Sequence, residues 1–195
     1  MRFLHVLIGL VILCSVAEAA TRKTVFRNRE YGITLSAPEG GWLCPTQGNG
    51  VVHGASLLLG TEDTSLCRKS SGKRWIETFA AYNIAEDSKT LHTFLNSECD
   101  YPSHYGNEPN AMCSPAPAGL SVNGLPSEAA RIDHLNGLIE IIVVTQAGKP
   151  NPDFDASVPS INYDLSLHTD AVHLDEDLAV FRAVLNAVKI APHSR

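Results

Sequence analysis

Near the end of the chain, Leu174, Leu178, Phe181, Leu185 and Val188 recur at alternating steps of four and three residues. That spacing traces one stripe of a 3.6-residue helix and predicts an amphipathic helix with its apolar face on a core. Asp175, Glu176 and Asp177 crowd its first turn, where negative charge meets the positive end of the helix dipole. Just upstream the period falls to two. Ile161, Tyr163, Leu165 and Leu167 alternate with Asn162, Asp164, Ser166 and His168, which predicts a strand with one face on the core and one face wet.

Period-two patterning dominates the rest of the chain. Lys23 to Asn28 and Tyr31 to Ala37 read as a hairpin turning at Arg29-Glu30, after which Pro38-Glu39-Gly40-Gly41-Trp42 ends the second strand. Asn49-Gly50 marks a turn into a strand from Val51 to Gly60, and Thr61 to Lys73 is polar. Trp75 to Ile84 is apolar on both alternating faces, as a central strand covered on both sides would be. Asp87-Ser88 is positioned to cap a helix to about Glu98, with Leu91, Phe94 and Leu95 on one side. Asn123-Gly124 marks another turn, and Asn136-Gly137 joins Ala130–Leu135 to Leu138–Thr145 in the strongest hairpin signal of the chain. Lys149 to Ser160 reads as a Pro/Asp-containing loop. Antiparallel strands with one internal and one terminal helix give an α+β class, an antiparallel β-sheet covered by helices.

The first nineteen residues follow a different logic. Arg2 precedes an apolar run from Phe3 to Leu13, broken by His5, and Ala17-Glu18-Ala19 supplies the small-x-small pattern cut by signal peptidase. The run falls short of the about 20 residues that a membrane span needs. The expected product is therefore exported, periplasmic or secreted, with residues 20–195 as one domain. Cys14 offers the alternative of a lipid anchor, but Leu13 stands where lipoprotein cleavage wants a small residue. The formal charge of −6 argues against a nucleic-acid partner.

Four cysteines remain after cleavage: Cys44, Cys67, Cys99 and Cys113. In an oxidising compartment they read as two disulfides with three possible connectivities. Sequential pairing is expected, because Cys99 and Cys113 bracket a segment without apolar periodicity and Cys44 and Cys67 flank a turn and strand. Each closure stabilises by about 3 kcal/mol on loop entropy. A zinc site is the competing reading, but no pair stands at the C-x2–4-C spacing of a zinc knuckle.

Candidate chemistry is sparse. His168, Asp170, His173 and Asp175 form the densest group of metal-type side chains, yet their spacing matches no helical metal pair, and strand, loop and helix dipole account for them. Asp153 and Asp155 lack the other ligands and the glycine of a calcium loop. The chain has no G-x-S-x-G, phosphate loop or HExxH. No catalytic residue, cofactor or metal is expected. Tyr101, His104 and Tyr105 lie between Cys99 and Cys113, and aromatics on a stiffened loop lose little entropy on binding. They are the candidate surface for a partner, most simply another exported protein. The competing reading has the tyrosines fold back over the disulfide.

Three stretches resemble the PsbP-like family. Phe26 through Pro38, with its Tyr31-Gly32 strand running into proline, followed by Trp42, is similar to the family's opening. Val122-Asn123-Gly124-Leu125-Pro126 and the long hairpin are similar to its middle. Tyr163 to Leu167 and Phe181 to Ile190 are similar to its closing strand and helix. The resemblance implies an α-β-α sandwich serving as an accessory or binding domain; members include extrinsic photosystem subunits and exported bacterial proteins. The extra glycine in Gly40-Gly41 and the cysteine-bracketed insert depart from the pattern and point away from photosynthesis. Two roles follow: an accessory domain of the envelope, or an inhibitor or immunity protein that binds an exported enzyme or toxin.

Overall fold

The computed structural model describes residues 24–48, 51–60, 74–83, 89–104, 108, 111–147 and 160–191. The leader with Cys14, the Asn49-Gly50 turn, Cys67, the Asp87-Ser88 cap, and Asp153 and Asp155 with their loop lie outside these residues. Ten strands and two helices are described: β1 Val25–Asn28, β2 Ile33–Ser36, β3 Leu43–Gly48, β4 Val51–Leu58, β5 Trp75–Tyr82, α1 Leu91–His104, β6 Cys113–Pro115, β7 Ser127–Asp133, β8 Leu138–Ala147, β9 Ile161–Asp170, α2 Leu174–Ala187 and β10 Lys189–Ile190. The α+β class holds.

Seven strands form one antiparallel sheet in the order β3-β4-β5-β9-β8-β7-β6. Its middle, β9, pairs Leu165 with Thr78 of β5 and with Val143 of β8. Pro45 lies in β3, and an edge strand is where a residue without a backbone N–H fits. The first hairpin, β1-β2, instead joins β10 in a second, three-stranded sheet. Gly32 makes that closure possible: it sits at φ 64, and a Cβ there would lie 2.2 Å from the Ala191 carbonyl oxygen.

One face of the large sheet carries Ile76, Ile141, Val143, Tyr163, Leu165 and Leu167, all buried against Ile33 and Leu35 of β2 and against α2. The predicted stripe does the packing, with Leu178, Phe181, Leu185 and Val188 buried and Leu174 half-buried. The acidic first turn is more than a response to the dipole. Asp177 is 1% exposed and accepts a two-pronged hydrogen bond from Arg74, at 2.7 Å from Nε and 2.5 Å from Nη2, and another from the Thr169 hydroxyl. This pins α2 to the ends of β5 and β9.

On the opposite face, α1 lays Phe94 and Leu95 over Ala130 and Ile132 of β7 and Ile142 and Val144 of β8. The helix was expected to end near Glu98 but runs to His104. Packing of Cys99 and burial of Pro102 override the weak helix propensity of this stretch. One further expectation changes. The β7-β8 connection is a three-residue loop rather than a two-residue Asn-Gly turn: the His134 N–H donates to the Leu138 carbonyl, and Gly137 takes φ 82. That is a type I turn closed by a left-handed glycine. Asn123 and Gly124 do share positive φ, at 44 and 73. Among the described residues no helix is long and apolar enough to cross a membrane.

Candidate functional site

Helix α1 is narrower than the sheet it covers. It packs on β7 and β8 and leaves the same face of β9 and β5 beside it as a groove of about 600 Å³. Strand alternation decides what lines the floor: Glu77, Phe79 and Ala81 from β5, Asn162, Asp164, Ser166 and His168 from β9, and Glu140 from β8. The wall from α1 consists of Phe94, Ser97, Glu98 and Tyr101, one residue per helical turn or half-turn on the side that faces β9. This corrects two strand readings. The alternate face of β9 is no wet surface, since Asn162 and Ser166 are buried. Among the described residues no second layer covers the matching face of β5, which opens into the groove with Phe79 38% exposed.

The groove is acidic. Glu77, Glu98, Glu140 and Asp164 contribute four carboxylates, and the described lining contains no lysine or arginine. Asp164 carries the electrostatic cost of this arrangement. Burial, then the neighbouring charge of Glu98, with Glu140 and Glu77 adding to it, holds its carboxyl well above the usual range. A hydrogen bond of 2.9 Å from the Ser166 hydroxyl opposes that shift. Glu140 is differently placed. It stands 2.9 Å from Nε2 of His134, whose Nδ1 lies 3.2 Å from Glu108, and 3.8 Å from Nε2 of His168. Hydrogen bonding to Glu140, and then to Glu108, holds the His134 imidazolium above its usual pKa against its burial. The His168 ring stacks on Trp75 with centroids 4.2 Å apart, and the buried Nε1 of Trp75 has no hydrogen-bond partner among the described residues.

The residues singled out from sequence are distributed as follows. Cys99 and Cys113 are bonded, with Cα atoms 5.6 Å apart, and the bridge ties α1 to the edge strand β6. Cys44 is also disulfide-bonded. Tyr101 stands not in a loop but in the last turn of α1, 60% exposed at the mouth of the groove. Tyr105 and the side chain of His104 lie outside the described residues. The group His168, Asp170, His173 and Asp175 is not assembled. His168 faces the groove, Asp170 accepts from His173 Nδ1 at 2.8 Å and from the N–H groups of Val172 and His173, and Asp175 is exposed on α2. Among the described residues no three His, Cys, Asp or Glu are grouped to hold a metal ion.

Periodicity concealed the groove carboxylates by assigning Asp164 and His168 to solvent. The available signal was the composition of β9, whose polar face lies in the strand flanked by the most apolar neighbours.

No family model matches this chain, and no curated protein matches it. Among solved structures it is similar to the solution structure of cyanobacterial PsbP (CyanoP) from Synechocystis sp. PCC 6803, with a TM-score of 0.51 and 10% sequence identity over 94% of this chain and 100% of that one. The likeness shows the fold alone, and the fold is PsbP-like.

Proposed function

We propose that this chain is an exported, non-enzymatic accessory domain of the bacterial envelope, and that it holds another exported protein in the groove beside α1. The groove is the observation that carries the reading. It is concave, of the size that binding sites take, and sets the rings of Phe79, Phe94 and Tyr101 beside a polar floor that includes Asn162, Asp164, Ser166 and His168. Export is supported by the leader pattern and by a disulfide of the kind that persists in oxidising compartments. Residues 20–195 are taken as one domain. A PsbP-like fold is in keeping with a binding role but is a weak warrant for it, so the site bears the weight.

A second reading is favoured by exposed side chains beside the Cys99–Cys113 bridge. Tyr101 is 60% and Met112 78% exposed, and a crosslinked aromatic anchor suits an inhibitor or immunity protein that blocks an exported enzyme or toxin.

Affinity capture from the organism's own envelope tests the first reading. Ala81 lines the groove from β5, and Ala81→Trp fills it. The wild-type protein is expected to retain a companion that the folded Ala81→Trp variant loses. Equal retention by both would move binding away from the groove, and a companion hydrolase silenced on binding would favour the inhibitor.

A further inference from the structure

We infer that Glu108, His134 and Glu140 form a pH-sensitive clasp, closed while the His134 ring carries both of its N–H protons, that fastens the Cys99–Cys113 insert to the β7–β8 end of the sheet. The inference goes beyond the groove reading and does not rest on it.

Geometry is the first argument. The disulfide closes the insert at its two ends, and between them the Glu108 carboxylate reaches the loop that joins β7 to β8. Both its oxygens stand 3.2 Å from Nδ1 of His134, and one also accepts from the Leu135 N–H at 3.3 Å. On the other side of the ring, Nε2 lies 2.9 Å from Glu140. The His134 side chain is 11% exposed, so water does little to replace either bond. Glu108 also ties the insert inward: its N–H donates to the Pro102 carbonyl in the last turn of α1, and its carbonyl accepts from the Ala111 N–H. Freeing the Glu108 carboxylate therefore loosens Ala111 as well.

Proton count is the second argument. An imidazolium donates from both nitrogens and satisfies two carboxylates, whereas the neutral ring keeps one donor and turns a lone pair toward the other carboxylate. Glu140 holds the shorter bond and Glu108 the longer, so the bond given up is the one to the insert. The other charged neighbours are few. Beyond Glu140 stands His168 of β9 at 3.8 Å, and α1 brings Glu98 to the groove that Glu140 lines. On β7, Arg131 bonds Asp133 on the strand's alternate face, and Asp100 of α1 is exposed. Hydrogen bonding to Glu140, and then to Glu108, prevails over burial and raises the His134 pKa. The stability that the clasp contributes is thus complete below about pH 6.5, the ordinary histidine value, and is lost as pH climbs through the raised one.

The test is an NMR pH titration of the isotope-labelled mature protein that follows the His134 ring and the heteronuclear NOEs of the Glu108 and Ala111 amides, with the Val188 amide at the end of α2 as control. The ring is expected to titrate above about 6.5, and both insert amides to lose NOE across that same midpoint while Val188 keeps its value. Glu108→Gln should lower the His134 midpoint by about half a unit or more. His134→Gln, which cannot titrate, should abolish the pH dependence of the insert amides. A His134 midpoint at or below about 6.5, or insert amides that stay rigid through it, would overturn the inference. So would a midpoint unmoved in Glu108→Gln, or loosening that persists in His134→Gln and therefore belongs to another group. If His134→Gln does not fold, the wild-type titration and Glu108→Gln decide the matter.

Discussion

Asp164 concentrates the conflict between stability and binding in one side chain. It occupies a core strand, pairs opposite Phe79 and Val144, and faces three other carboxylates. A carboxyl whose folded pKa is raised keeps its proton longer in the folded than in the unfolded chain. Stability is then fullest below the ordinary carboxylate pKa and is lost as pH climbs from that value to the raised one. Asparagine has the same shape and no charge to desolvate. Asp164→Asn should therefore be more stable than wild type at pH 7, on the order of 1 kcal/mol, with the advantage gone below about pH 4. Denaturant melts at both pH values check this; a variant less stable than wild type at pH 7 would show that the charge of Asp164 is satisfied within the fold. Asp177 makes the contrast, since its buried carboxylate accepts hydrogen bonds from Arg74 and Thr169.

Among the elements, α2 carries the core and α1 shapes the site. Phe181, fully buried at the centre of the α2 stripe, packs on the large sheet, so Phe181→Ala should cost about 3–5 kcal/mol. Urea melts of the two proteins measure it, and a loss under about 1 kcal/mol would mean that the helix face is not packed as described. This helix was legible because five apolar residues at helical spacing leave no other period. Strand β9 was legible for the same reason, but only in its odd positions. What alternation cannot supply is the identity of the layer opposite. Asn162 and Ser166 read as solvent-facing because they are polar, yet both are buried on the sheet face that α1 only partly covers. The end of α1 was illegible for a related reason: Asp100, Tyr101 and Pro102 are poor helix formers, and a disulfide to β6 with a buried proline holds them in the last turn.

At the scale of the whole molecule, two layers of unequal width cover one sheet. The layer of α2 and the small sheet spans one face and closes the core, whereas α1 spans β7 and β8 and leaves β9 and β5 open. A groove follows from that mismatch, and its acidity follows from which alternate positions of β5, β8 and β9 happen to face it. The PsbP-like topology was legible in three packing patterns; the groove was not, because it is composed of residues distant in sequence that only the strand order brings together. Its function is most directly tested by amide shift mapping of the isotope-labelled mature protein on addition of the companion that affinity capture recovers. Shifts concentrated on β5, β9 and the Phe94–Tyr101 side of α1 are predicted. Shifts concentrated on α2 or the small sheet, with those three elements unmoved, would contradict the account.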